Sequence, residues 1–182
     1  VIGRGLPGPG HPDASEGDCM SAIDDCLANN RAFATGLSKI PPHTPPAKRI
    51  AVVLCMDARL NTWAMLGLKD GDAHVIRNAG GVVTKDVIRS LIISQRLQGT
   101  REVMLIHHTD CGMLKFRDDE LKRAISEEAG RSPKFSLRAF EDVEIDLRQS
   151  IRRIKDCPYL PFRNHIRGFV YDVDTGLLNE VS

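Results

Sequence analysis

The stretch Ile50-Ala-Val-Val-Leu54 is a short, uninterrupted apolar run, and the chain leaves it through Cys55-Met-Asp57-Ala-Arg59. A run of this length without polar alternation is typical of a parallel strand that is buried on both faces. The run Glu102-Val-Met-Leu-Ile106 is similar after its first residue and leads into His107-His-Thr-Asp-Cys-Gly112. Because ligands of open α/β sheets bind beyond the carboxyl ends of the strands, we expect the two exits to lie at one edge of a sheet.

Predicted helices and strands alternate along the rest of residues 48–182. Further strands are predicted at residues 74–77 and 168–172, and the second of these turns at residues 174–176 into Leu177-Leu178. Helices are predicted at residues 84–97 with Thr84 as the N-cap, from a cap at Asp118 or Asp119, and at residues 140–154. This alternation is typical of an α/β fold with a mostly parallel central sheet and flanking helices.

Three segments of different composition follow one another along the chain. Residues 1–19 are rich in Gly, Pro, Asp and Ser, have little to bury, and are predicted to be a disordered leader that is either added or processed. Residues 20–47 are predicted to form an arm, with a helix at residues 21–34 and a stiff connector that carries four prolines. The helix has few apolar residues, so we expect it to pack on the domain of residues 48–182 or on a partner subunit.

Charge and cysteine content exclude several functional classes. The 182 residues carry 25 Lys and Arg against 24 Asp and Glu, a net charge of +1 that argues against a nucleic-acid partner. No apolar run approaches the roughly 18 residues that a membrane span requires. Five cysteines at wide spacing do not form a disulfide scaffold and indicate a reducing, cytoplasmic location. Cys19, Cys26 and Cys157 are predicted to be ordinary packing residues.

The two strand exits carry the ligands of a transition metal. Cys55 from one exit and His108 and Cys111 from the other form a Cys-His-Cys set, which suits Zn²⁺. His107 is the alternative to His108, and the His-x-x-Cys spacing favours His108. Three protein ligands leave one position open for water, which is typical of a catalytic zinc site.

Asp57 and Arg59 follow Cys55 at alternate positions and therefore point to the same side of an extended segment. A carboxylate that is held by a guanidinium is a fixed acceptor for a proton of zinc-bound water. If Asp57 were released from Arg59, it could instead become the fourth metal ligand. A purely structural ion pair is the alternative. The loop of residues 77–81 is either a plain turn or part of the lining of the site.

The motifs Cys55-x-Asp57-x-Arg59 and His108-x-x-Cys111 resemble the two zinc motifs of the β-class carbonic anhydrases. The segment His74-Val-Ile-Arg-Asn-Ala-Gly80 resembles the loop between those motifs. The likeness is to the short bacterial and archaeal members, whose second motif reads His-Thr-Asp-Cys-Gly-Met, as residues 108–113 do here. It covers the chain from about residue 20 to the end.

The resemblance implies a parallel sheet with one antiparallel edge strand, and a homodimer or tetramer in which N-terminal helices lie across the partner. It implies one Zn²⁺ per subunit on Cys55, His108 and Cys111, with Asp57 and Arg59 as a catalytic dyad. The implied reaction is the reversible hydration of CO₂ to bicarbonate and a proton through attack of zinc-bound hydroxide. Because two thiolates neutralise the charge of the ion, we expect activity to rise toward alkaline pH.

Two alternatives to CO₂ hydration stay open. The first is the hydrolysis of carbonyl sulfide, or of carbon disulfide, to H₂S and CO₂ at the same zinc site. The second is a non-catalytic zinc protein in which Asp57 permanently closes a Cys₂HisAsp site. Arg59 argues against a closed site, because a structural ligand has little need of a competing cation two residues away.

Overall fold

The computed structural model describes residues 21–37 and 45–181. The chain divides into two compact units, Val1–Pro42 and His43–Ser182. The predicted leader of residues 1–19, which includes Cys19, lies outside the described residues. So do residues 38–44, which hold the first two prolines of the predicted connector. Within the described residues, no helix is long and apolar enough to cross a bilayer.

Helix α1 (Ala22–Thr35) is the described element of the first unit, and it starts and ends close to its predicted bounds. Ser21 and Asp24 form a reciprocal capping box, in which each side chain accepts from the other residue's backbone N–H. The prediction that Cys26 is a packing residue is wrong, because Cys26 is exposed and no side chain of α1 is buried within the described part of the chain.

The second unit contains a five-stranded sheet in the order β2-β1-β3-β4-β5. Its strands are β1 (Ile50–Cys55), β2 (Ala73–Asn78), β3 (Glu102–His108), β4 (Ile166–Tyr171) and β5 (Leu178–Val181). The first four strands pair in parallel, and β5 pairs with β4 in the antiparallel direction. The predicted α/β class, with a mostly parallel sheet and one antiparallel edge strand, is confirmed.

Four helices of the second unit are described, together with two single 3₁₀ turns. The helices are α2 (Thr62–Leu66), α3 (Lys85–Arg96), α4 (Asp118–Ala129) and α5 (Val143–Lys155), and the turns are Ala79–Gly81 and Gly112–Leu114. Thr84 caps α3 as predicted. Helix α5 begins three residues later than predicted, because the Asp142 carboxylate accepts from the Ile145 N–H and fixes the start there. Helix α2 was not predicted.

Asp118 and Asp119 do not cap α4, so that prediction is wrong. The helix begins at Asp118 itself, and the N-cap residue Arg117 makes no side-chain capping bond. The Asp118 carboxylate instead accepts from the Ser136 hydroxyl and from three consecutive backbone N–H groups at residues 137–139. Asp118 therefore holds the loop between α4 and α5 against the start of α4.

The core lies on both faces of the central strands. Ala51 and Val53 of β1 pack in one cluster with Leu91 of α3 and Leu147 of α5. Val52 and Leu54 of β1 point the other way and pack in a second cluster with Ile106, Leu60 and Met113. All five residues from Ala51 to Cys55 are buried, which explains why the sequence of this strand lacks polar alternation.

Candidate metal centre

The candidate ligands come together because two neighbouring parallel strands end at the same level. Leu54 lies opposite Ile106 in the register, so Cys55 at the end of β1 and His108 at the end of β3 reach the same sheet edge. Cys111 follows three residues later, at the start of a 3₁₀ turn. All three side chains are buried, and their ligand atoms lie within 4.8 Å of one another. We call this group the ligand triangle.

His108 belongs to the ligand triangle, and His107 points to the opposite face of the sheet. The His108 Nδ1 lies 2.8 Å from the Thr109 carbonyl oxygen, to which it donates, so Nε2 is left as the ligand atom. That Nε2 is buried and has no hydrogen-bond partner. His107 instead places its Nε2 2.8 Å from the Asp146 carboxylate and stacks on Phe140.

The chemistry of the ligand triangle fits a divalent thiophilic cation. The hydrogen bond between Cys111 and Cys55 lowers the pKa of the Cys55 thiol, and the nearby His108 lowers it further; the same hydrogen bond and burial raise the pKa of Cys111. The pKa of His108 is raised: burial opposes its charged form, and the neighbouring Cys55 thiolate outweighs burial. Two buried thiols and an unpartnered imidazole nitrogen are stable together when a cation binds both thiolates, and Zn²⁺ takes this donor set.

The loop of residues 77–81 lies directly against the ligand triangle, which decides between the two interpretations of this loop. Gly81 has φ +69°, and a Cβ there would lie 2.9 Å from the Cys55 backbone nitrogen and 3.0 Å from the Ile106 carbonyl oxygen. Only glycine allows this approach. Arg77 donates from Nε to the Cys55 carbonyl at 3.0 Å and from Nη2 to the Asp57 carbonyl at 2.7 Å. Sequence reasoning did not find these two hydrogen bonds, although Arg77 is the second-last residue of β2, the strand beside β1.

Asp57 and Arg59 form the predicted ion pair beside the ligand triangle. Arg59 donates from Nε to Oδ1 at 3.0 Å and from Nη2 to Oδ2 at 2.8 Å, and its backbone N–H also donates to Oδ1. These bonds hold the pKa of Asp57 well below its usual range. Oδ2 of Asp57 lies 3.8 Å from the His108 Nε2. An ionised carboxylate thus lies next to this candidate ligand atom and is bound to Arg59.

Asp110 and Lys115 extend the ion pair, and sequence reasoning missed both. Arg59 donates from Nη1 to the Asp110 Oδ2 at 3.0 Å and from Nη2 to the Asp110 carbonyl at 3.1 Å. The Lys115 Nζ lies 2.7 Å from the other carboxylate oxygen of Asp110. We call Asp57, Arg59, Asp110 and Lys115 the charged rim. The available signal was an acidic residue inside the His-x-x-Cys spacing.

Comparisons with known proteins identify the family to which this chain is similar. Residues 50–178 match the family model for carbonic anhydrase. The chain is 58% identical over 163 residues to β-carbonic anhydrase 1 of Mycobacterium tuberculosis, a match that covers 90% of this chain and 99% of that protein. It is 32% identical over 154 residues to a carbon disulfide hydrolase of Acidithiobacillus thiooxidans, which covers 74% of this chain and 77% of that protein.

A solved structure agrees with the sequence matches. The carbonic anhydrase of Streptococcus mutans superposes with a TM-score of 0.84 at 39% identity, and the match covers 90% of this chain and 99% of that one. The matched residues include both strand exits and the loop between them. Fold, motif order and overall identity therefore agree, and the chain belongs to the β-carbonic anhydrase family.

Proposed function

We propose that this protein catalyses the reversible hydration of CO₂ to bicarbonate and a proton, with one Zn²⁺ per chain on Cys55, His108 and Cys111. The observation that carries the proposal is the position of Asp57, which is next to the ligand triangle but bound to Arg59. Three protein ligands then leave one position for water. When bound, the zinc ion supplies a Lewis acid that lowers the pKa of a water molecule.

Asp57 and Arg59 have different roles in orienting that water molecule. Asp57 is ionised, so its Oδ2 accepts a hydrogen bond from the nucleophilic water and turns a lone pair toward the carbon of CO₂. Arg59 keeps the carboxylate in one orientation through two side-chain hydrogen bonds. The two negatively charged cysteine ligands reduce the acidity that the water gains, so activity rises toward alkaline pH.

The proposal extends to domain organisation, assembly and location. Residues 48–182 form the zinc domain, and residues 20–47 form an arm that packs on a partner subunit in a homodimer or tetramer; residues 1–19 precede the arm as a leader. The exposed apolar side chains Ile23, Leu27 and Phe33 of α1 support a helix that packs on a partner. The proposed metal ligands Cys55 and Cys111 form no disulfide and must stay reduced to bind zinc, which supports a reducing, cytoplasmic location.

Hydrolysis of carbonyl sulfide or carbon disulfide is the second candidate. It is supported by the match to the Acidithiobacillus thiooxidans carbon disulfide hydrolase. Both molecules are linear and offer an electrophilic carbon to the same nucleophile. A non-catalytic site closed by Asp57 is the third candidate, and the three hydrogen bonds from Arg59 to that carboxylate argue against it.

Parallel assays on one preparation separate the three candidates. Zinc-loaded protein is mixed with CO₂ in a stopped-flow instrument that reports proton release, and with carbonyl sulfide and carbon disulfide in an assay for H₂S. Metal-free protein is the blank. We expect rapid CO₂ hydration and slower H₂S release. Faster H₂S release would make the protein a hydrolase, and no turnover with one zinc per chain would make the site structural.

A further inference from the structure

Asp57 and Arg59 cannot by themselves locate their ion pair relative to the ligand triangle. They are two residues apart on one loop, so their hydrogen bonds are internal to that loop. Arg77 donates to the backbone carbonyl of Asp57, and among the described residues no hydrogen bond joins Arg77 to the Asp57 carboxylate. A third contact must decide whether the carboxylate stays with Arg59 or moves toward the metal-facing His108 Nε2, which is 3.8 Å from Oδ2.

Asp110 supplies that contact from a different segment of the chain. It lies between His108 and Cys111, 51 positions from Arg59, and binds Arg59 through both its carboxylate and its carbonyl. The Arg59 guanidinium therefore donates to Asp57 and also to Asp110. Asp110 lies in the segment that carries two members of the ligand triangle, His108 and Cys111. Four of the five N–H bonds of the guanidinium are used in these hydrogen bonds.

The backbone at Asp110 is shaped for this role. Asp110 has φ +51°, in the left-handed region that few residues other than Gly, Asn and Asp adopt readily. That conformation aims its carboxylate and its carbonyl at Arg59 together. Lys115 lies 2.7 Å from the remaining carboxylate oxygen, at the exposed outer side of Asp110.

We propose that Asp110 is a positioning residue that anchors Arg59 and thereby keeps the Asp57 carboxylate off the fourth metal position. The inference rests on the proposed function, because only a site that needs an open position gains from such an anchor. Without the anchor, Arg59 is free to move, and Asp57 spends part of its time as a fourth ligand that excludes other ligands from the metal.

Azide binding to the cobalt(II)-loaded protein measures how often the fourth position is open. Azide occupies an open position, and visible absorption of cobalt reports its binding without any turnover. The variants are Asp110→Gly, which removes the side chain and tolerates the left-handed backbone, and Asp110→Asn, which keeps one acceptor oxygen. Asp119→Asn is the matched control, because the Asp119 carboxylate is also exposed and pairs with Arg117 rather than with Arg59.

We expect azide to bind about threefold more weakly to Asp110→Gly, which corresponds to an open fraction of about one third. Asp110→Asn should lie between that variant and the wild type, and Asp119→Asn should match the wild type. The direction is diagnostic. Removing a negative charge near the metal would by itself strengthen azide binding, so unchanged or tighter binding to Asp110→Gly would overturn the proposal.

A double-variant cycle assigns the effect to Asp57. In an Asp57→Ala background no carboxylate is left to occupy the metal, so Asp110→Gly should no longer weaken azide binding. Equal weakening in both backgrounds would contradict the anchor. Cobalt content of one per chain in every variant confirms that the ligand triangle is intact. A wild-type protein that binds azide but fails to hydrate CO₂ would refute the proposed function and leave this result standing.

Discussion

The ligand triangle and the charged rim are neighbours that are built in opposite ways. The triangle is buried, and the register of β1 and β3 places its donors. The rim is exposed on its outer side, with the Arg59 and Asp110 side chains 47% and 52% accessible, and its members are held by one another. Under the proposed function, metal binding would depend on the sheet and the open fourth position on surface charges, so the two properties should be separable by substitution.

Removal of a triangle ligand should have the largest effect. Cys111→Ser keeps the size of the side chain but replaces a thiolate with a poorer ligand. We expect zinc affinity to fall by more than about 100-fold, beyond the usual cost of losing a second-shell contact, and CO₂ hydration to be lost. A competition titration against a chromophoric chelator measures the affinity. Cys157→Ser is the control, because Cys157 is also buried but lies outside the triangle. Equal zinc affinity in both variants would contradict the assignment.

Asp57→Asn should separate turnover from metal binding. The amide keeps the shape of the carboxylate but loses its charge and one acceptor, so we expect kcat for CO₂ hydration to fall by about 100-fold or more. Zinc content should remain one per chain. Stopped-flow kinetics and metal analysis on the same sample check both statements. Unchanged turnover would remove the charged rim from the mechanism.

Asp118→Asn should weaken the fold with little effect on metal affinity. The pKa of Asp118 is lowered, since hydrogen bonds from Ala139, Ser136 and their neighbours outweigh the opposing effect of burial. A lowered pKa means that the stabilisation is present above the unfolded value near 3.9 and is lost as pH falls through the folded value. We expect a loss of about 1.5–3 kcal/mol in the free energy of unfolding at pH 7, the range for hydrogen bonds to a charged group.

Urea unfolding of both proteins at pH 7 and at pH 3 tests this dependence on pH. The difference between the wild type and the Asp118→Asn variant should shrink at pH 3, because this pH lies below the unfolded value near 3.9 and the unfolded wild type therefore takes up a proton there. A difference of the same size at both pH values would show that the charge of Asp118 is not what holds the loop. Loss of metal at pH 7 would show that this loop also supports the triangle.

Lys115→Gln should have the smallest effect. Lys115 is 64% accessible, and its single ion pair with Asp110 is screened by salt. We expect kcat to change by less than about twofold at about 0.15 M salt, where exposed ion pairs contribute little. Kinetics at low and at moderate ionic strength provide the comparison. A decrease in kcat as large as that expected for Asp57→Asn would mean that the Lys115–Asp110 ion pair positions the rest of the charged rim.

The sequence predicted the parts of the site that depend on local pattern. The apolar runs at residues 50–54 and 103–106 identified β1 and β3 because strands that are buried on both faces lack polar alternation. The position of the ligands at the strand exits then followed from the general geometry of parallel sheets. The antiparallel direction of β5 came from the family resemblance and from no feature of its own four residues.

The sequence could not predict contacts that depend on side-chain direction across distant segments. Arg77 reaches two carbonyl groups only because β2 lies beside β1. The sequence of a strand does not specify which strand is its neighbour in the sheet. Asp110 reaches Arg59 only through a left-handed backbone. Residues 107 and 108 are both histidines, so residue type alone does not distinguish them. The alternation of side chains along β3 places the two rings on opposite faces of the sheet.

A zinc titration of metal-free protein, with CO₂ hydration followed by stopped flow, tests the central claim most directly. If the ligand triangle holds a zinc ion with an open position, the hydration rate should rise in proportion to added zinc and level off at one zinc per chain. A protein that binds one zinc per chain and hydrates CO₂ no faster than its metal-free form would contradict the account.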